Sequence, residues 1–322
     1  MRLRGKSVLV TGGAGFIGSH LSRRLLREGA RVRVLDNLSN GNLDNLPARE
    51  IDFINGDVRC PDDVAGAVRG AEIVFHLAAQ INPVRSVQSP VDDFEINARG
   101  TVNLLETSLR SGVNKFVFAS TNVYGNAFRE KMPESYPTLK EAGSLLSPYA
   151  AAKVSGEAYC KVYNDERGLK TVRLRFFNVY GPRQTTRSES GAVAIFTRRA
   201  LSGKPIIIFG DGTRTRDFVY VDDVVEANIR AVREDKAAGK VFNIGTGIET
   251  SIKHLAEAVR TTAGSTVPIE YSPQRAADFQ RARADLTLSR SVLGYKPAVE
   301  IHKGLERYVA WVRNGVSIDE DS

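Results

Sequence analysis

The chain has 322 residues, of which 42% are apolar and 25% are charged, a composition ordinary for a water-soluble globular protein of one large domain or two intimate ones. The formal net charge is +8, but the basic residues are scattered, so we expect no nucleic acid as a partner, while a modest positive excess suits a protein that binds anionic phosphates. Two cysteines and four histidines are too few for a disulfide framework or a metal site, and no apolar run or leader-like N-terminus indicates a membrane or secretion, so we expect a cytoplasmic protein.

Strand and helix patterns alternate through the first half of the chain. Helices are predicted near residues 16–28, 61–68, 93–109 and 148–167. The strands between and beside them read SVLV, ARVRVLD, IDFING, AEIVFHLA, KFVFAS and TVRLRFF. Nearly continuous apolar strands indicate a parallel sheet that helices cover on both faces. Right-handed crossovers make such a sheet doubly wound, which predicts an α/β Rossmann fold.

The second half of the chain is less regular. After FFNVYGPRQ the strands become shorter, and no clean linker separates two domains. We therefore predict a smaller α/β substrate domain that is interleaved with the first domain. The first domain is expected to comprise residues 1–177 and to regain residues 217–245, and the second to comprise residues 178–216 and 246–322.

A glycine-rich turn follows the first strand. Residues 10–18 read VTGGAGFIG, which satisfies two glycine spacings, through Gly13, Gly15 and Gly18 or through Gly12, Gly15 and Gly18. A lone match of this kind is weak evidence, but here it leaves a strand and opens a helix. Small residues let the backbone approach a pyrophosphate, whose charge is stabilised by the free N–H groups of the helix N-terminus. The turn therefore predicts a dinucleotide site.

An acidic residue at the end of the second strand selects the dinucleotide. Asp36 lies 21 residues after Gly15, where a carboxylate accepts hydrogen bonds from ribose hydroxyls and repels a 2′-phosphate. This favours NAD over NADP. Asp57, after the third strand, is expected to meet the adenine, although an ordinary turn residue is the alternative for both aspartates.

The segment SPYAAAK, Ser147–Lys153, begins the helix predicted at 148–167. Ser147 suits an N-cap and Pro148 the first helical position, so the segment alone is typical of a helix start. Beside a nicotinamide cofactor, Tyr149 and Lys153 on one helix face become a base and its cation. Tyrosine needs a pKa about 3 units below its usual value to act at pH 7, or ~4 kcal/mol, which one cation at ~4 Å supplies.

Eight motifs, in order along the chain, resemble those of the extended short-chain dehydrogenase/reductases. They read TGGAGFIGSHL, HLAAQ, NARGTVNLLE, ASTNVYG, SPYAAAK, RFFNVYGPRQ, TRDFVYVDDV and VFNIGTG, and extend from Thr11 to Gly247 with weaker similarity to about Pro297. Within that family the chain is most similar to the nucleotide-sugar epimerases and dehydratases. The resemblance implies bound NAD and a UDP-sugar substrate.

The resemblance also implies a set of catalytic and cofactor-binding residues. Ser120 is expected to offer a hydroxyl to the reacting oxygen, with Thr121 a weaker alternative, and Tyr124 either reaches the sugar or packs internally. Asn97 is expected to brace the active-site helix. The catalytic set is Ser120, Tyr149 and Lys153, and the expected cofactor contacts are Gly12, Gly15, Phe16, Ile17, Gly18, Asp36, Asn37, Asp57, Val58, Leu77, Ala78, Ala79, Asn97, Tyr149 and Lys153.

On the substrate side the resemblance implies a diphosphate clamp. Arg216 and Arg275 match the family's clamp arginines, and two guanidiniums on separate segments suit a pyrophosphate. Asp278 is expected to take a ribose hydroxyl, and Ala282 to leave room beside the sugar C2. Arg183 is plausible but unassigned. The expected substrate contacts are Ser120, Thr121, Asn178, Arg216, Phe218, Arg275, Asp278 and Ala282, with a core position the alternative for Phe218.

The reaction follows from what stands after the expected catalytic serine. Family dehydratases carry an aspartate–glutamate pair there and uronate decarboxylases a glutamate, whereas this chain has Thr121 and Asn122. The resemblance therefore implies a 4-epimerase that works through a 4-keto sugar and transient NADH. UDP-glucose and UDP-galactose are the leading pair, with the N-acetylated pair possible. A UDP-glucuronate epimerase, a dehydratase and an NAD-sensing binding protein are the alternatives.

Family members pair through two long helices, which correspond here to residues 93–109 and 148–167. The resemblance thus implies a homodimer. Tyr159 and Tyr163 are its expected interface residues, and packing within the core is the alternative for both.

Overall fold

The computed structural model describes residues 2–124, 131–138, 147–184, 191–273 and 281–315. The first half of the chain forms β1 (Ser7–Thr11), α1 (Phe16–Arg27), β2 (Arg31–Asp36), β3 (Ile51–Asn55), α2 (Pro61–Val68), β4 (Ile73–His76), α3 (Pro83–Gln88), α4 (Pro90–Phe94), α5 (Gly100–Arg110), β5 (Lys115–Thr121), α6 (Pro148–Asp165) and β6 (Thr171–Phe176). A turn of π-helix, Glu95–Arg99, joins α4 to α5.

The second half has shorter elements. They are β7 (Asn178–Tyr180), α7 (Ala192–Leu201), β8 (Ile206–Phe209), β9 (Thr215–Arg216), β10 (Phe218–Tyr220), α8 (Val221–Arg233), β11 (Val241–Ile244), β12 (Thr250–Ser251), α9 (Ile252–Thr262), β13 (Ile269–Ser272), α10 (Thr287–Leu293) and α11 (Ile301–Arg313).

Seven strands form one parallel sheet, in the order β3-β2-β1-β4-β5-β6-β11. The order reverses between β1 and β4, and a crevice forms outside the carboxyl ends of strands at such a switch point. The predicted α/β, doubly wound Rossmann fold is confirmed.

Both faces of the sheet are covered, which explains the continuous apolar strands. Val8 and Val10 of β1 join a hydrophobic cluster that includes side chains of α1 and α8. Leu9, between them, joins a different cluster with side chains of α2, α5 and α6. Since neighbouring strand residues point to opposite faces, a strand with helices on both sides must be apolar throughout.

The smaller lobe has a core of its own and is interleaved with the first. β8 pairs with β13 in parallel, and side chains of α7, α9 and α11 complete a separate hydrophobic cluster. The chain returns to the large sheet in between, because β11 pairs with β6 and α8 packs against α1. The exact domain boundaries given above stay a prediction.

Candidate active site

The glycine turn lies between β1 and α1, at the switch point of the sheet. Gly12 has a φ of +69°, and a Cβ there would lie 2.6 Å from the backbone nitrogen of Ala78. A Cβ on Gly18 would collide with the carbonyl oxygen of Gly12. Gly15 caps α1 without a side-chain hydrogen bond, and the first turn of α1 contains no acidic residue. The N–H groups at this helix start are therefore suited to an anion.

A cleft of about 330 Å³ begins at this turn and runs to the start of α6. It brings together nearly all the residues that the sequence analysis assigned to the cofactor and to catalysis. These lining residues are Gly12, Gly15, Phe16, Ile17, Gly18, Asp36, Asn37, Asp57, Val58, Leu77, Ala78, Ala79, Ser120, Tyr149 and Lys153.

Asp36 stands at the end of β2, as predicted, and also stabilises the glycine turn. Its carboxylate accepts hydrogen bonds from the backbone N–H groups of Ala14 and Leu38, at 2.9 and 2.8 Å. Burial raises the pKa of Asp36, and these hydrogen bonds oppose the rise. A carboxylate has about four acceptor positions, so sites remain for ribose hydroxyls.

Asp57 is held by its neighbours rather than left free for a ligand. Asn37 donates to its carboxylate at 2.8 Å, and Arg59 donates through its backbone and side chain at 2.8–3.0 Å. Hydrogen bonds from Arg59 lower the pKa of Asp57 to about 2, despite partial burial. Asp57 is therefore a fixed negative charge on the cleft wall.

The cleft also includes residues that the sequence analysis left unassigned. Three of them, Ser39, Asn40 and Gly41, lie on the loop after β2. Their turn-forming types predict a loop beside Asp36, so the sequence could have identified them. Others come from distant segments and carry no local sequence signal. The unassigned lining residues include Ser39, Asn40, Gly41, Arg59, Gln80, Arg85, Asp92, Ile96, Phe176 and Arg183.

Arg183 reaches the cleft from the loop after β7. Its backbone is in the left-handed region, with a φ of +67°, and its Nη1 donates to the hydroxyl of Ser19 on α1 at 3.0 Å. Burial, together with the positive charge of nearby Arg23, lowers the pKa of Arg183 to about 10. The guanidinium is therefore still charged at neutral pH, close to the glycine turn.

Tyr149 and Lys153 lie one turn apart at the start of α6. The helix begins as predicted, since the hydroxyl of Ser147 accepts a 3.2 Å hydrogen bond from the amide of Ala150. Lys153 is 4% exposed and donates to the carbonyl of Ala119 at 3.0 Å. Its Nζ lies 5.9 Å from the centre of the Tyr149 ring.

The expectation that Lys153 lowers the pKa of Tyr149 concerns the site with NAD bound and stays a prediction; in the protein alone, burial dominates. Burial raises the pKa of Tyr149 to about 12, opposed by a hydrogen bond with Thr121, and the charge of Asp93 adds to the rise. The pKa of Lys153 is itself lowered by burial to about 8, although Asp93 favours the charged form. The ammonium group lies beside the ring and on a carbonyl, so it compensates little for the desolvation of the tyrosine hydroxyl.

Two neighbouring hydroxyls end β5, and the one whose residue lines the cleft is that of Ser120. Ser120 lines the cleft, but its Oγ donates to Glu157 Oε1 at 2.6 Å. Ser120 makes this contact because its side chain points to the face of the sheet that α6 covers, whereas Thr121 is the last residue of β5. Tyr124 likewise bonds within the protein, donating to Asn243 at 2.5 Å and accepting from Arg175 at 2.9 Å.

Asn97 braces the site and does not line the cleft, which corrects its place among the cofactor contacts. It is 1% exposed, and its amide donates to Gln80 O and Asp93 Oδ1, both at 2.9 Å. It lies inside the π-helical turn between α4 and α5. The side chain therefore holds the segment after β4, which lines the cleft, against that turn.

The residues expected at the substrate are less concentrated. Asn178 and Arg216 are partly buried on β7 and β9, and Ala282 is 6% exposed within the main hydrophobic cluster. Phe218 is 5% exposed and packs in the core of the smaller lobe, which favours the core position given above as its alternative. Arg275 and Asp278 lie outside the described residues.

The model of the NAD dependent epimerase/dehydratase family matches residues 8–245. The chain belongs to this family. Among curated members, the UDP-glucose 4-epimerase of Mycolicibacterium smegmatis is 42% identical over 315 residues, which cover 95% of this chain and 98% of the relative.

Solved structures of the family superpose closely. The UDP-glucose 4-epimerase of Thermotoga maritima, solved with UDP-glucose, is 40% identical with a TM-score of 0.91, covering 96% of this chain and 99% of its own. The UDP-N-acetylglucosamine 4-epimerase of Methanobrevibacter ruminantium, solved in complex with UDP-N-acetylmuramic acid, is 31% identical with a TM-score of 0.91, covering 97% and 99%.

NAD, the cofactor of the family, fits the residues that are present. The uncapped start of α1 and the nearby Arg183 suit a pyrophosphate. Asp36 retains acceptor capacity for ribose hydroxyls and disfavours a 2′-phosphate. Within the described residues, no group of three or more His, Cys, Asp or Glu side chains is arranged to hold a metal. No described helix is long and apolar enough to cross a membrane.

Proposed function

We propose that the protein is a UDP-hexose 4-epimerase that interconverts UDP-glucose and UDP-galactose. One observation carries the proposal: Tyr149 and Lys153 line the inner end of an NAD-family cleft, and the two positions after Ser120 hold Thr121 and Asn122 in place of carboxylates. The site can thus move the proton of one hydroxyl and lacks the additional acid and base of a dehydratase. Relatives at 42% and 40% identity that are 4-epimerases support this reading.

When bound, NAD would supply the acceptor and the later donor for the hydride of sugar C4. The amides at the start of α1 would hold its pyrophosphate, Asp36 its adenosine ribose, and Lys153 its nicotinamide ribose. Tyr149 takes the proton of the sugar 4-hydroxyl and gives it back after the sugar has turned. Burial, which raises the pKa of Tyr149, keeps the tyrosine hydroxyl protonated in the protein alone.

The sugar at the active site is proposed as a hexose, with the N-acetylated hexose as the second candidate. The family resemblance places Ala282 beside the sugar C2, where a small side chain would leave room for an N-acetyl group, and this favours the second candidate. The solved N-acetylglucosamine epimerase in the family is consistent with it. Arg216 would hold the diphosphate, with Arg275 and Asp278 completing the nucleotide contacts.

The test is to incubate the purified protein with UDP-galactose and to separate the products by anion-exchange chromatography. We expect UDP-glucose to appear, and the reverse conversion to reach the same ratio. The control is Tyr149→Phe, which should bind NAD and lose turnover by about 10²–10⁴-fold. If the protein converts UDP-N-acetylgalactosamine and does not convert UDP-galactose, the N-acetylated pair is the substrate. No product from either pair, or no change in the absorbance of bound NAD with sugar nucleotide, would contradict an epimerase and favour a binding protein.

We also propose a homodimer, on the apolar side chains that remain exposed along α3, α4 and α6. They include Val87, Val91, Phe94, Tyr159 and Val162, between 44% and 73% exposed. Tyr163 is 5% exposed and donates to Glu106 at 2.8 Å, which favours the alternative that it packs within the subunit. We also propose a cytoplasmic location, which the free thiols of Cys60 and Cys160 suit. The proposed reaction belongs to galactose metabolism.

A further inference from the structure

The loop after β7 contains a tight turn with an unusual backbone. The amide of Gln184 donates to the carbonyl of Gly181 at 3.2 Å, so residues 181–184 form a β-turn with Pro182 second and Arg183 third. Arg183 has a φ of +67°. Because proline cannot adopt a positive φ, a positive φ at the third position defines a type II turn. That position ordinarily requires glycine or asparagine, so the arginine is held there against its own backbone preference.

His20 on α1 contacts the backbone of this turn. Its side chain is 12% exposed, and its Nε2 lies 2.8 Å from the carbonyl oxygen of Pro182, while Nδ1 faces Asp222 at 3.8 Å. Burial lowers the pKa of His20 to about 4, and the charge of Arg183 adds to the effect, so the ring is neutral at neutral pH. A carbonyl oxygen can only accept a hydrogen bond. The single ring proton is therefore on Nε2, which donates to Pro182.

The peptide that His20 contacts is the part of the turn that differs between turn types. Between types I and II, ψ of the second residue and φ of the third each change by about 150–170°, which turns the carbonyl between them to the opposite side. Proline at the second position is compatible with both types, and an arginine at the third favours type I. The carbonyl of Pro182 faces His20 in the type II turn and would face away in type I, so this hydrogen bond stabilises type II.

The type II turn places the side chain of Arg183 in the cofactor cleft. The guanidinium lines the cleft, and its Nη1 donates to Ser19 Oγ at 3.0 Å. Ser19 is fully buried and gives its own proton to the carbonyl of Phe16 at 3.0 Å, so its oxygen can accept from the guanidinium. Two consecutive residues of α1, Ser19 and His20, thus hold the turn, one at the arginine side chain and one at the backbone.

We propose that His20 is a positioning residue that selects the type II form of the turn at residues 181–184 and thereby keeps the Arg183 guanidinium in the cofactor cleft, where it slows the release of NAD. Without the histidine the turn relaxes to type I, and the guanidinium moves away from the cleft. The inference requires NAD as the cofactor and does not require the proposed sugar chemistry, so the two can fail separately.

The first test measures how fast NAD leaves the complete, NAD-loaded protein, by exchange with labelled NAD. His20→Phe keeps an aromatic ring beside Phe16, whose ring centre is 6.0 Å from that of the histidine, and removes the donor. Release should become about 3–10-fold faster, the usual effect of one lost hydrogen bond. His20→Gln restores an N–H donor and should release NAD within about twofold of the wild-type rate.

His254→Phe makes the same change at an exposed position of α9 and serves as the control for this measurement. It should release NAD at the wild-type rate. An unchanged rate in His20→Phe, or equally fast release in His20→Phe and His20→Gln, would overturn the proposal.

The second test asks whether His20 acts through Arg183. Arg183→Ala should itself speed the release of NAD, and adding His20→Phe to it should change the rate by less than about twofold. A histidine that only supports the fold would speed release by the same factor with or without the arginine. Equal factors in the two backgrounds would therefore contradict a positioning role.

The third test reads the turn itself, by thermal unfolding with neither NAD nor a sugar nucleotide present. At a φ of +67° glycine is favoured over alanine, so Arg183→Gly should unfold about 1–3 °C above Arg183→Ala. Glycine has no such advantage in a type I turn, so the difference should vanish in the His20→Phe background. A difference of the same size in both backgrounds would show that the turn stays type II without the histidine, which would overturn the proposal. Since no test uses a sugar nucleotide, a failure to convert UDP-galactose would contradict the proposed function alone.

Discussion

Lys153 is a cation that can lose its proton only slightly above physiological pH. Its pKa is lowered by burial to about 8, so the ammonium loses its proton as the pH rises through that value. We expect kcat/KM to fall above about pH 8, since the neutral amine no longer favours the tyrosinate. The measurement is the pH dependence of UDP-galactose conversion. Lys153→Arg keeps a permanent charge and should remove this alkaline limb from the activity that remains, whereas an unchanged limb would assign it to another group.

Arg183 is a second cation that the structure places at the cofactor. Its guanidinium lines the cleft and contacts Ser19, beside the turn that suits a pyrophosphate. A charge-assisted hydrogen bond is worth about 1.5–3 kcal/mol, so Arg183→Ala should weaken NAD binding about 10–100-fold. Equilibrium binding of NAD to cofactor-stripped protein measures this. Arg27→Ala removes the same charge from an exposed position of α1 and serves as the control. Equal losses in the two variants would mean that only net charge matters.

At the site, the sequence predicted residue types well and orientations poorly. Gly12, Asp36 and Tyr149 follow from spacing, because the turn, the strand end and the helix start each fix where they point. Ser120 and Thr121 are adjacent and chemically alike, so their roles depend on which one faces α6. The Ser120 hydroxyl is held by Glu157, which is held in turn by Arg175. These residues are 37 and 55 positions beyond Ser120 in the sequence, and no local pattern reveals the contact.

Among the elements, α6 must lie close to β5 for the site to form. A Cβ on Gly156 would lie 2.6 Å from the ring of Phe118, which is fully buried. The next residue, Glu157, holds Ser120, and Lys153 packs over the same ring at 5.0 Å. The glycine therefore sets the distance from which both polar contacts are made.

We expect Gly156→Ala to destabilise the protein and Gly66→Ala to stabilise it. Both changes remove a helix glycine, which gains about 0.8–1 kcal/mol of helix propensity. In α6 the added methyl forces a packed ring to move, at about 1–3 kcal/mol, and should also lower activity. Gly66 on α2 is exposed, with nothing within 4 Å of its added Cβ. Thermal or urea unfolding of the two variants measures the difference, and equal shifts would show that the ring yields freely.

The element boundaries show what periodicity can predict. The helix expected at 61–68 appears as Pro61–Val68, where a proline at the first helical position and the apolar period agree. The helix expected at 93–109 is instead interrupted by the π-helical turn Glu95–Arg99. Its cause is tertiary, since Asn97 in that turn is bound to the carbonyl of Gln80 after β4.

At the scale of the whole molecule, two buried aspartates of the motif TRDFVYVDDV tie distant segments of the chain together. Asp217 of the motif TRDFVYVDDV is fully buried and accepts hydrogen bonds from Thr246, Gly247 and Ala284, at 2.7–3.1 Å. Asp223 accepts from the backbone of Ala298 and Val299 in the same way. The parallel sheet was predictable because each βα unit is local. The sequence predicted that a smaller lobe exists but not how its strands pair. Its short strands pair across long separations in the sequence, and its buried aspartates look like surface residues.

The exposed apolar side chains on α4 and α6 indicate how two copies of the chain would assemble. Val91 and Phe94 of α4 are 73% and 55% exposed, and Tyr159 of α6 is 44% exposed; α4 and α6 pack against each other, which places these side chains on adjoining helices. An exposed apolar face of this kind is typical of a subunit interface. We expect the protein to sediment as a dimer and Phe94→Glu to sediment as a monomer, because a buried unpaired carboxylate opposes association.

Analytical ultracentrifugation measures both species. Tyr271→Glu, an equally conspicuous apolar-to-acidic change at a 53% exposed position on β13 of the smaller lobe, should remain a dimer. A dimer for Phe94→Glu, or a monomer for the unchanged protein, would place the interface elsewhere or remove it. Because α6 also carries Tyr149 and Lys153, loss of the dimer should lower kcat as well, as a helix freed from its partner holds the catalytic pair less firmly.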